Sequence, residues 1–85
     1  IKDTIETLGG INNVKFVHSS VNRLVVSLYD PTLLDVSKLN DLGSVRIYET
    51  KAGYAICFGS ASTMIRKGIS KEIREYVRQV NSNYA

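Results

Sequence analysis

Three side chains capable of polar chemistry stand close together in this chain: His18, Ser20 and Arg23. A serine hydroxyl becomes a nucleophile only when a neighbouring base takes its proton, and His18, two residues earlier, is the nearby candidate. In a strand, residues two apart point to the same side, so the two would be neighbours if the strand runs that far. The sequence offers no third group to orient the imidazole, and a histidine on the edge of a hairpin is the competing reading. Arg23 could hold an anion together with backbone N–H groups of the adjoining turn, because guanidinium makes charge-assisted, often bidentate bonds to phosphate. Its alternative is a solvated, outward-facing residue at the start of a strand. The single cysteine, Cys57, lies between Ile56 and Phe58 in the longest apolar run of the chain, where a small buried hydrophobe is the usual role. It leaves no partner for an internal disulfide and removes any zinc-cluster reading. Tyr48, Tyr54 and Tyr76 read as packing residues, since too few basic neighbours surround them for a base-stacking platform.

The elements that would position these residues can be read from hydrophobic spacing. Ile1, Ile5 and Leu8 stand at helical intervals, and Gly9-Gly10 stops that helix because glycine readily takes the left-handed conformation at helix ends. From 13 to 18 the pattern alternates, with Val14 and Phe16 on one face and Lys15 on the other. The clearest alternation follows: Leu24, Val26 and Leu28 share one face, while Arg23, Val25, Ser27 and Tyr29 share the opposite one. These two strands are expected to form a hairpin whose tip is Ser19-Ser20-Val21, and Asp30-Pro31 ends the second. Residues 34–42 read as a short helix with Val36, Leu39 and Leu42 buried and Gly43 as its stop. Residues 45–49 and 53–58 form a second hairpin around Thr50-Lys51-Ala52, with Arg46 facing outward. A long final helix, capped by Ser60 or Ser62, carries Ile65, Ile69, Ile73, Val77 and Val80 as its stripe, with Gly68 as a point where it could break.

The order helix-strand-strand-helix-strand-strand-helix predicts an α+β fold: a four-stranded antiparallel sheet with three helices on one face. Eighty-five residues with 44% hydrophobic and 22% charged suit one domain spanning 1–85, too small for the deep cavity of a self-sufficient metabolic enzyme. The first residue is Ile1, so the domain is expected to be excised from a longer chain. No stretch approaches the roughly 20 apolar residues of a membrane span, which argues against membrane insertion and for a cytoplasmic location. The net charge of +3 comes from scattered Lys and Arg without a basic run, so no nucleic-acid partner is expected.

Read from Asn13, the chain gives Asn13-Val14, five residues, Ser20, one residue, Asn22, Arg23-Leu24, then Val26, Leu28 and Asp30. This resembles the phosphorylation-site signature of the glucose-type IIB domains of bacterial sugar phosphotransferase permeases: asparagine, an aliphatic, five residues, cysteine, any residue, threonine, arginine, then alternating aliphatics to an acidic residue. The likeness continues through Ile56-Cys57-Phe58-Gly59 and the final helix. It implies a domain that takes a phosphoryl group from a histidine of a IIA domain and passes it to sugar carried by a membrane-embedded IIC domain. Those two domains are the implied partners, no cofactor is implied, and the location is the cytoplasm, tethered to the inner face of the membrane through a longer chain.

The departures bear on chemistry. Ser20 occupies the position of the family's phosphocysteine, Asn22 that of the threonine, and Val25 that of a second arginine. Ser19, Val21, Asn22 and Arg23 would line the phosphate. A relay needs a nucleophile that ionises easily and also leaves easily; a thiolate meets both demands, whereas a serine is far more basic and its phosphate ester is a poor donor. The resemblance therefore implies a IIB-like domain that is catalytically silent as written. The alternatives are an active phosphocarrier captured as a Cys-to-Ser variant and a stand-alone regulatory module that binds a protein. Engineering accounts for Ser20 alone, while divergence accounts for Ser20, Asn22 and Val25 together.

Overall fold

The computed structural model describes residues 1–83. Its α-helices are α1 (Lys2–Thr7), α2 (Val36–Asp41) and α3 (Ser62–Asn83), and its strands are β1 (Val14–Ser19), β2 (Leu24–Leu28), β3 (Arg46–Thr50) and β4 (Gly53–Cys57). The fold is α+β with a four-stranded antiparallel sheet, and these elements follow the expected succession. Three single-turn 3-10 segments, at Ile11–Asn13, Pro31–Leu33 and Gly59–Ala61, add to the helix count and lead into β1, α2 and α3. The sheet order is β1-β2-β4-β3, so the second hairpin joins the first through its returning strand.

Leu24, Val26 and Ile56 are fully buried on one face of the sheet, packed with Ile5 and Leu8 from α1, Leu39 from α2 and Ile69 from α3. Apolar residues meeting from all three helices and the central strands form one core and leave the other sheet face without a helical cover.

Several local expectations are corrected. Val14 and Phe16 do not share a face: a register shift between them lets Val14 and Val17 both join the core, while Phe16 points outward and is 44% exposed. A bulge of this kind places two residues opposite one, which strict alternation cannot anticipate. The short helix begins only at Val36, because the Asp35 side chain accepts from the Lys38 N–H at 3.1 Å and caps it; Val36 and Leu42 are exposed and Leu39 alone is buried. Neither Ser60 nor Ser62 caps α3, since Ser60 lies in the preceding 3-10 turn and Ser62 is already helical. The helix runs unbroken through Gly68, whose missing side chain leaves room for Ile1: an added Cβ would lie 2.6 Å from the Ile1 Cδ1 atom.

Asn13 braces the entry to the sheet. Its Nδ2 donates to the Leu8 carbonyl at 2.7 Å and to the Asp30 carbonyl at 2.9 Å, and its Oδ1 accepts from the Asp30 N–H at 2.8 Å. The end of α1 is thereby fixed to the end of β2. Replacing Asn13 by alanine leaves the buried Leu8 carbonyl and the part-buried Asp30 backbone groups without this partner and should cost about 2 kcal/mol, read as a lower urea midpoint at unchanged slope. An unchanged midpoint would mean that water takes over these bonds freely.

Candidate functional site

The β1–β2 hairpin carries every residue of the expected site at one end of the sheet. Ser19 pairs with Leu24 as the last residue of β1, and the Ser20 N–H donates to the Arg23 carbonyl at 3.0 Å, closing the turn. Ser20, Val21, Asn22 and Arg23 are all exposed, Val21 at 87%. The tip is thus presented to solvent and not folded into the core. Its position is fixed from behind: the Gly59 N–H donates to the Asn22 carbonyl at 3.1 Å, tying the turn to the segment between β4 and α3.

His18 pairs with Val25 across the hairpin and is exposed. It makes no hydrogen bond to Ser20 among the described residues, and no carboxylate orients its ring there, so the arrangement is not that of an activated serine. Ser19 instead has a partner that the sequence did not disclose. Arg66, from the second turn of α3, points its Nε at the Ser19 Oγ at 3.4 Å, a long contact at the limit of hydrogen bonding. A guanidinium 47 positions away in sequence is placed beside the tip only by the way α3 crosses the sheet, and no local signal marks it.

Arg23 does not extend freely into solvent. Its Nη1 donates to the Tyr48 hydroxyl, and its guanidinium carbon lies 5.9 Å from the centre of the Tyr48 ring. Arg46, on the same strand as Tyr48, lies 5.0 Å from that ring centre. Both are within the ~6 Å at which a cation is attracted by an aromatic face. Tyr48 is half-buried on the uncovered sheet face, where it packs against two arginines. The reading of Cys57 is corrected: it is half-buried and not part of the core. It pairs with Arg46, so alternation places it on the uncovered face while its neighbour Ile56 enters the core.

No cluster of His, Cys, Asp or Glu able to hold a metal ion exists among the described residues. Nor is any helix there long and apolar enough to cross a membrane.

No family model matches the chain. Over 64 residues, 75% of its length, it is 31% identical to the PTS system glucoside-specific EIICBA component of Staphylococcus carnosus (strain TM300). The chain is homologous to part of a phosphotransferase-system protein. It spans about 9% of that relative's length. A crystal structure of one domain of the PTS system IIabc component from Clostridium difficile matches with a TM-score of 0.56 at 20% identity, covering 92% of this chain and 78% of that one. The second likeness concerns the fold alone.

Proposed function

We propose that residues 1–85 form one IIB-like domain of a sugar phosphotransferase permease, excised from a longer cytoplasmic chain tethered to the membrane, and that it is catalytically silent because Ser20 stands where the phosphoryl-accepting cysteine would be. The observation that carries this reading is the tip itself. Ser20 is exposed at the turn between β1 and β2, and His18, two residues before it, makes no hydrogen bond to it among the described residues. An alcohol in that position has the access of a phosphocarrier without its acidity. Arg23 and Arg66 flank the turn with positive charge, which suits docking of a phosphorylated partner even where no transfer follows. On this reading a IIA domain carrying phosphohistidine and a membrane-embedded IIC domain are the partners, with Ser19, Val21, Asn22 and Arg23 around the phosphate.

The test is a transfer assay with a radiolabelled, phosphorylated IIA domain of the glucoside class. The unmodified chain should remain unlabelled while the donor keeps its phosphate. Label appearing on the chain and passing from it to sugar would show that the domain is a working carrier and overturn the proposal.

A further inference from the structure

The sheet face opposite the helices has a consistent chemical character. A single row crosses all four strands on it, His18 on β1, Val25 on β2, Ala55 on β4 and Tyr48 on β3. Beside that row stand Lys15 and Phe16, turned outward by the bulge in β1, and at its tip end Arg23, Cys57 and Arg46. No aspartate or glutamate belongs to this face by strand alternation among the described residues. Arg23 precedes β2 and Tyr48 lies on β3, so the bond between them passes over β4; Ala55, the small residue below, is fully buried although no helix covers it.

Two guanidinium groups are therefore held against one tyrosine ring, and neither has a carboxylate within salt-bridge distance; the single ion pair among the described residues joins Lys38 to Glu6 elsewhere. Like charges gathered without an anion repel each other, and an arriving acidic group relieves that repulsion. The face is a flat sheet surface and not a concavity, so a small anion could not be enclosed on it. What it offers is the accessible apolar surface of Phe16 and Val25 with arginine and tyrosine beside it, the composition of protein interfaces. A base-stacking role is disfavoured because Arg46 lies over the Tyr48 ring and Arg23 holds its hydroxyl.

We propose that this bare sheet face docks an acidic protein surface, with Arg46 acting beside Arg23 as a second cationic anchor and Tyr48 spacing the pair. The proposal rests on this face and not on the chemistry of Ser20, so it stands whether or not the domain accepts phosphate. An amphipathic acidic helix, with glutamates flanking a leucine stripe, would lay its apolar residues over Val25 and Phe16 and its carboxylates on Arg23 and Arg46.

The experiment is a nuclear magnetic resonance titration of the isotopically labelled chain with a synthetic peptide of that design. The peptide should move the Arg23 and Arg46 side-chain N–H signals and the backbone amides of Val25, Ala55 and Cys57, leaving the α3 amides after Ile73 in place. Arg46→Gln and Arg23→Gln should each weaken binding about tenfold, and raising the salt concentration should weaken the unmodified chain more than either variant. Tyr48→Phe, which keeps the ring but loses the hydroxyl holding Arg23, should fall between the unmodified chain and Arg23→Gln. Equal affinity in Arg46→Gln would overturn the proposal, as would inorganic phosphate alone shifting the same signals at the same concentration, or single-stranded polyuridine binding there more tightly than the peptide.

Discussion

Replacing Gly53 by alanine should cost at least about 3 kcal/mol and lower the melting temperature by at least about 12 °C. Two effects coincide at this position. Gly53 has φ +140°, where side chains are strained, and it opens β4 directly against the backbone of β2. An added Cβ would lie 2.9 Å from the Val26 carbonyl carbon and 3.0 Å from the Ser27 Cα, and closer still to the Val26 oxygen. These are backbone atoms held in a central strand pair, so no flexible side chain can swing away. Gly10→Ala is the comparison: φ there is +95° with nothing within 4 Å of the added atom, so only the strain of the conformation should appear, about 1 kcal/mol. Thermal melts of the two variants, followed by circular dichroism, separate strain from collision. Equal losses would show that β4 can draw back from β2.

The asymmetry between those glycines marks what could be read from the chain alone. Gly53 looks in sequence like the first residue of a strand after a short turn, and that much is right. The close approach to Val26 depends on β4 pairing with β2, which no local pattern specifies. The same division runs through the whole domain. Alternation at Leu24, Val26 and Leu28 and helical spacing at Ile65, Ile69 and Ile73 are local consequences of burying one face, so the elements and much of the core were legible. The bulge at Lys15 was not, because it adds a residue that alternation has no way to count. At the tip, the signature spacing led to residues 19–23 as a group. Their neighbours Arg66, Arg46 and Tyr48 arrive from other elements and became visible only through the sheet order and the crossing of α3.

On the reading of Ser20 as the vacant carrier position, Ser20→Cys should turn a chain that takes up no label from a phosphorylated IIA domain into one that does. The largest functional change expected from any single substitution is this one, because it restores the reacting atom and leaves the scaffold alone. Ser20 is exposed and its hydroxyl makes no hydrogen bond among the described residues, so sulfur replaces oxygen without breaking packing. An ordinary thiol ionises near pH 8.5, giving about 3% thiolate at pH 7, and the anion is the attacking species. Uptake should therefore rise with pH, approaching tenfold per unit below the thiol's own pKa and levelling above it. The substitution is best made alongside Cys57→Ala, so that a label on protein can come only from position 20. Adding Arg23→Gln should then reduce uptake by about tenfold, since the guanidinium nearest the turn in sequence would no longer meet the incoming phosphoryl group. No uptake by the Ser20→Cys chain at any pH would overturn the reading of position 20 as the carrier position. Uptake by the unmodified chain, abolished by Cys57→Ala, would instead move the chemistry from the hairpin to β4.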